Sequence, residues 1–298
     1  MLDDGIHYDI DPRDYHAWNF ELDKGPISNS LLKRYANDGP ARFREAIIED
    51  QVLKPSAALT WGSLVDCLAF TPDKFEQEFV LACECEDFVA SGAFRTKAAR
   101  QWRDEVLAGG QLIVTPEEFD AAMQAVKVLN DTPASAKILE GAKAQVGLVY
   151  RGEHGVPVKG LVDCLPAGAP FIADLKTTAA NIYSDDELSR SIGRLGYHVQ
   201  ASLYLYLWSK LSDEERTGWR IIWQSSSAPY EVRVIRLDNL WRDAGDAFVQ
   251  YHVPRMVRDI TTNHYASVFK EEVTTIQMHN PSVFAEEALV DLLKEVEA

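Results

Sequence analysis

Residues 160–176 read G-L-V-D-C-L-P-A-G-A-P-F-I-A-D-L-K. Val156–Leu165 and Phe171–Lys176 are β-rich runs separated by a Pro/Ala/Gly turn, which predicts two short strands. Side chains alternate along a strand, so Asp174 and Lys176, two apart, leave the same face. Asp163 lies near the end of the preceding strand, where antiparallel pairing can bring it beside them. Two carboxylates and an ammonium converging at a sheet rim would be costly without a purpose. Two carboxylates suit Mg²⁺, with Mn²⁺ as a substitute, because both prefer oxygen ligands. Such a cation acidifies water and stabilises charge on a phosphoryl oxygen. A neighbouring lysine would orient that water or neutralise the intermediate. A D-x-K on a strand is also the pattern of a solvated edge ion pair, so its surroundings decide.

Working outward, Gln145–Arg151 is another β-rich run, joined to Val156–Leu165 through Gly152-Glu153-His154-Gly155, a hairpin pattern. Downstream, Gly196–Lys210 is a strongly apolar helix on which Gln200 and Tyr204, four apart, share a face. Trp219–Trp223 and Tyr230–Leu237 predict two more strands, and Asn239–Ile260 a final core helix. Upstream, Trp61–Phe70 reads as a buried helix interrupted by Asp66. A buried Asp there calls for a partner: a cap, an ion pair or a metal. Thr115, Pro116 and Glu118 announce a further helix. A helix is expected over Ser28–Ala46, capped by Ser28 or Ser30. The order is helices, a β-hairpin plus strand, then helix and strands. That order predicts a mixed α/β domain over 26–270 with a helical N-terminal part. Residues 1–25 read as an acidic, solvated lead-in, and 271–298 as a polar linker followed by an acidic amphipathic helix. In that tail, Phe284, Ala288, Leu289, Leu292 and Val296 form the apolar stripe.

The 298 residues are 46% hydrophobic and 26% charged, an ordinary globular composition, with a net charge of −16. No run of 18 apolar residues is present, so no membrane span is expected. The acidic start has no apolar core of a secretory signal, and a cytoplasmic setting is expected. The four cysteines lack C-x-x-C pairing and make neither a disulfide framework nor a zinc ribbon. A charge of −16 argues against gripping a polyanion, but its distribution does not. Residues 1–23 carry −6, residues 271–298 carry −6, and the body only −4, with basic segments at 31–44 and 91–103.

The run G-x-x-D, then D-L-K-T-T, then Q-x-x-x-Y resembles the RecB-like branch of the PD-(D/E)xK nucleases. More closely it resembles the RecE type (exonuclease VIII) of phages and prophages. ISNSLLKRYANDGPARF, WGSLVD and FRTKAARQW add to a likeness that covers roughly residues 26–265. The resemblance implies a restriction-endonuclease-like core, with a central mixed sheet flanked by helices. It implies Mg²⁺-dependent 5′→3′ degradation of double-stranded DNA ends for recombination or repair. It also implies a homo-oligomeric ring (a trimer or tetramer) and a single-strand annealing partner.

By the same resemblance, Asp163, Asp174 and the Leu175 carbonyl would bind the metal, Lys176 would act on the attacking water, and Gln200 and Tyr204 would hold the phosphate. Asp66 stands where these relatives commonly have His. The C-terminal cysteines that hold an iron–sulfur cluster in some relatives are absent, and no cluster is expected. Ser28, Ser30 and Arg34 are candidates for a 5′-phosphate, with simple N-capping as the alternative. Arg95, Lys97 and Arg100 are either a DNA-backbone contact or a solvated helix face. A structure-specific or restriction-like endonuclease and a non-catalytic end-binding scaffold remain the rival functions. His154 and His198 read as structural.

Overall fold

The computed structural model describes residues 2–8, 10–49, 57–87 and 94–267. In chain order the elements begin with β1 (Gly5–His7), α1 (Pro12–Ala17), α2 (Asn29–Asp38), α3 (Pro40–Ile48), α4 (Ala57–Phe70) and α5 (Phe75–Glu78). They continue with β2 (Phe79–Leu81), α6 (Lys97–Ala108), β3 (Leu112–Val114), α7 (Pro116–Asp131) and α8 (Pro133–Leu139). The core strands and their helices are β4 (Lys143–Tyr150), β5 (Val158–Leu165), β6 (Phe171–Thr178), α9 (Asp185–Leu195) and α10 (Tyr197–Leu211). Last come β7 (Gly218–Ser225), β8 (Val232–Arg236) and α11 (Asn239–Thr262). Residues 1–266 form one unit and 267–298 a second. The linker and amphipathic helix expected after 271 lie outside the described residues.

Six strands form the main sheet in the order β1-β4-β5-β6-β7-β8. β6 and β7 run parallel and every other neighbouring pair is antiparallel, so the sheet is mixed. A parallel pair needs a crossover, and α9 with α10 supplies it. Strand alternation sends Ile172, Ile221 and Trp223 to one core, shared with Leu203, Leu207 and Trp208 of α10. Cys164, Ala173, Leu175 and Ile222 point the other way, against Leu64 and Leu68 of α4 and Leu129 of α7. Trp208, Trp219 and Trp223 are almost wholly buried, each contributing about 4–6 kcal/mol of gross transfer free energy. Among the described residues no helix is long and apolar enough to cross a membrane.

The helix at Pro116 begins as expected: Thr115 accepts from the Glu118 N–H, and Glu118 accepts from the Thr115 N–H. Two expectations differ. The helix over Ser28–Ala46 is two helices, because Gly39 takes φ +77° and Pro40 starts the second. A left-handed glycine followed by proline ends one helix and opens another. The acidic N-terminal segment is not merely solvated. β1 pairs with β4, and Tyr15 is buried beside Ile10 and Leu161. Asp3, Asp4, Asp14, Glu21 and Asp23 are exposed while Ile10 and Tyr15 carry the packing.

Candidate active site

β5 and β6 are joined in register at Cys164↔Ala173. That register sets Asp163 beside Asp174. Beyond it, the Asp163 carboxylate accepts the Leu175 backbone N–H at 3.2 Å. Asp174 lies close enough to oppose a charge on Asp163. Asp174 is 1% exposed. Its Oδ1 accepts from Gln200 Nε2 at 2.7 Å, and its Oδ2 lies 2.7 Å from Lys176 Nζ. The Lys176 contact is an ion pair without hydrogen-bond alignment, so Oδ2 is buried with no aligned donor.

Asp66 enters from α4 on the far side. Gln145 Nε2 donates to its Oδ2 at 2.6 Å. Gln145 is buried and takes φ +49°, a left-handed backbone that a non-glycine side chain holds only under constraint. The β4–β5 register runs from Ala144↔Cys164 to Val146↔Val162, which places Gln145 across from Asp163. Gln145, Asp163 and Asp174 therefore form a row across three strands, with Asp66 tied to one end and Gln200 to the other.

The electrostatics are those of a site short of positive charge. Burial, reinforced by Asp174 and Asp66, raises the Asp163 carboxyl well above the usual carboxylate range. Burial also pushes Asp66 up to about 7; Lys176 and the Gln145 hydrogen bond oppose this, while Asp174 and Glu78 add to it. For Lys176 burial acts to lower the ammonium, but Asp174 and Asp163 more than offset it and the group is raised. Tyr204 is raised by burial and by Asp163 and Asp174, and its hydroxyl is hydrogen-bonded to the Leu161 backbone. Its ring lies against Gly160, where an added Cβ would stand 2.8 Å from Cε1.

A cleft of about 1180 Å³ collects Asp66, Asp163, Lys176, Gln200 and Tyr204 on its walls, together with Ser28, Ser30 and Arg34. Ser28 also caps α2 by accepting from the Leu31 N–H, and Arg34 pairs with Asp38. Arg95, Lys97 and Arg100 are exposed and are not part of the cleft wall. His154 lies on the exposed β4–β5 turn. His198 contacts the Ile192 carbonyl and the Trp241 ring. Gln145, Glu78 and Lys159 also line the cleft. Sequence alone did not single them out, although Lys159 had a usable cue: it lies an even number of residues from Asp163.

The donor set can be tested against a divalent cation. Asp163, Asp174 and the Leu175 carbonyl offer oxygens only, and Asp174 Oδ2 lacks an aligned donor. Among the described residues no group of three or more His, Cys, Asp or Glu side chains is placed to hold a metal ion. A few oxygens and open space fit a cation that keeps several waters, as Mg²⁺ does, better than one enclosed by protein.

Comparison with known proteins agrees with this fold. Residues 28–273 match the family described as PDDEXK-like domain of unknown function (DUF3799). A crystal structure of a "Putative exonuclease" from Eubacterium rectale superposes with a TM-score of 0.59 at 16% identity, covering 93% of this chain and 98% of that one. The crystal structure of SSO0001 gives a TM-score of only 0.29 at 11% identity, over 80% of this chain and 87% of that one, and carries no weight. No curated protein matches the sequence.

Proposed function

Because the chain belongs to the PDDEXK-like family (DUF3799), we propose that it is a divalent-metal-dependent deoxyribonuclease, and specifically a 5′→3′ exonuclease acting on ends of duplex DNA. The observation that carries this reading is the convergence of Asp163, Asp174, Lys176 and Gln200 at the point where β5 and β6 part. Asp163, Asp174 and the Leu175 carbonyl would hold Mg²⁺ or Mn²⁺, with Asp66 as a further oxygen donor from α4. When bound, the metal supplies positive charge against the phosphodiester and acidifies water.

The chain's own groups do the rest. Lys176 remains protonated between two carboxylates, positions the attacking water and offsets charge on the phosphorane. Gln200 holds Asp174 Oδ1 so that its other oxygen is presented. Tyr204, fixed against Gly160, bounds the space beside the phosphate. Ser28, Ser30 and Arg34, on the wall of the same cleft, would receive a 5′-phosphate. Ring assembly, an annealing partner and a role in phage-type recombination complete the reading on resemblance alone, and a cytoplasmic setting on the cysteine pattern.

The test uses linear and covalently closed circular duplex DNA, with Mg²⁺ or EDTA, beside Lys176→Ala. Metal-dependent loss of the linear form alone, abolished in the variant, is expected. Nicking of circles would favour an endonuclease, and end binding without cleavage under any metal would overturn the enzyme.

A further inference from the structure

Lys159 is a buried lysine without an acid. It is 5% exposed. Its ammonium donates to the Tyr15 carbonyl at 2.5 Å and the Trp18 carbonyl at 2.9 Å. The same nitrogen stands 4.2 Å from the Tyr15 ring centroid and 5.5 Å from that of Trp18. Among the described residues no carboxylate pairs with it, and burial alone pulls the amine down to about 8. Tying down an N-terminal segment does not need a charge, and a buried ammonium without a counter-ion is costly. An anion arriving from outside would complete the arrangement.

Its place in the fold says where that anion comes from. Lys159 and Asp163 lie on one strand, four residues apart, and both line the cleft. Even spacing puts them on the same face, about 13 Å apart, the rise of roughly four nucleotides of duplex. Trp18 lines the same cleft, is half-buried, and has a second cation, Arg151, 5.9 Å from its ring centroid. A cation beside a partly open indole matches the two parts of a nucleotide, phosphate and base.

We infer that Lys159 and Trp18 form a second DNA-strand subsite in the cleft, a few nucleotides from the scissile bond, where Lys159 neutralises a backbone phosphate and Trp18 stacks on a base. This rests on the nuclease reading of the cleft. The N-terminal segment is then a substrate-binding wall, and Lys159 both fastens that wall and uses it.

The experiment measures binding of a fluorescein-labelled DNA duplex with a single-stranded end to the full-length Lys176→Ala protein, by anisotropy over a salt series. Adding Lys159→Met should lower the slope of log K against log salt by about 0.7–0.9, one phosphate contact, while Lys159→Arg keeps it. Trp18→Ala should weaken binding about tenfold, and Trp18→Phe much less. Melting curves accompany each variant. An unchanged slope and affinity in a folded Lys159→Met protein would overturn the subsite, as would full affinity in Trp18→Ala. If wild type cleaves DNA and Lys176→Ala binds it, such a result removes the subsite alone. If wild type neither binds nor cleaves DNA, both readings fall together.

Discussion

The Asp163 carboxylate takes the Leu175 N–H at 3.2 Å, where an unbroken ladder would offer a backbone carbonyl of the neighbouring strand. A side chain thus closes the gap that the parting strands open. The Asp163 and Asp174 carboxylates are brought to one place by the same local event.

Asp163→Asn tests what that arrangement costs. Burial and two neighbouring acids oppose a charge on Asp163, so the neutral amide should raise metal-free stability by about 1–2 kcal/mol. Cleavage should fall by at least about 10³-fold, because a metal oxygen is lost. Urea unfolding in EDTA, set beside a nuclease assay, reads both. A variant that is less stable and still active would contradict the assignment.

The pH dependence of stability follows from Asp66. Its folded carboxyl is pushed up to about 7, chiefly by burial, against about 3.9 in an unfolded chain. Between those values the folded protein keeps a proton that the unfolded chain releases. Metal-free stability should therefore fall as pH rises from about 4 through 7, with the raised Asp163 carboxyl adding to the fall. Asp66→Asn should flatten that slope. Melting temperatures in EDTA between about pH 5 and 8 decide it, and equal slopes in both proteins would reject the buried carboxyl.

Gln145→Leu leaves Asp66 Oδ2 without its 2.6 Å donor. Losing a hydrogen bond to the charged form moves the Asp66 midpoint upward, and the acid limb of the pH–rate profile should follow by up to about one unit. Stability near pH 8 should drop by about 1–3 kcal/mol. An unshifted acid limb would show that Asp66 does not control the rate.

Gly160→Ala would place a Cβ 2.8 Å from Tyr204 Cε1 and 2.9 Å from Cδ1. Overpacking of this kind costs about 1–3 kcal/mol and should displace the ring. In a Tyr204→Leu background the same alanine should cost much less, and a double-mutant cycle of unfolding free energies measures the difference. Strict additivity would mean that the two positions do not touch.

What was legible in the sequence depended on local rules. Strand period two sufficed to put Asp174 and Lys176 on one face, and helical spacing put Gln200 with Tyr204. The core strands and the helices after residue 195 fall within a few residues of their expected bounds. Gly39-Pro40 was a readable break that the amphipathic pattern of Ser28–Ala46 concealed. Gln145 was not readable: a polar residue in a β-rich run shows neither its left-handed backbone nor its reach to a helix 79 positions earlier. Lys159 was hidden for a related reason, since only tertiary contact reveals that a lysine is buried without an acid. The packing of Tyr15 within the acidic first 23 residues is likewise invisible to a sum of charges.

The parallel pairing of β6 with β7 also constrains how the protein is made. Gln200 rides in the crossover that joins those strands, and the cleft further needs residue 15, residue 66 and residue 145. Contacts this distant in sequence are slow to form. A chain emerging from the ribosome therefore carries its acids and its lysine apart, inert toward any DNA nearby, until nearly the whole domain has been synthesised and closed.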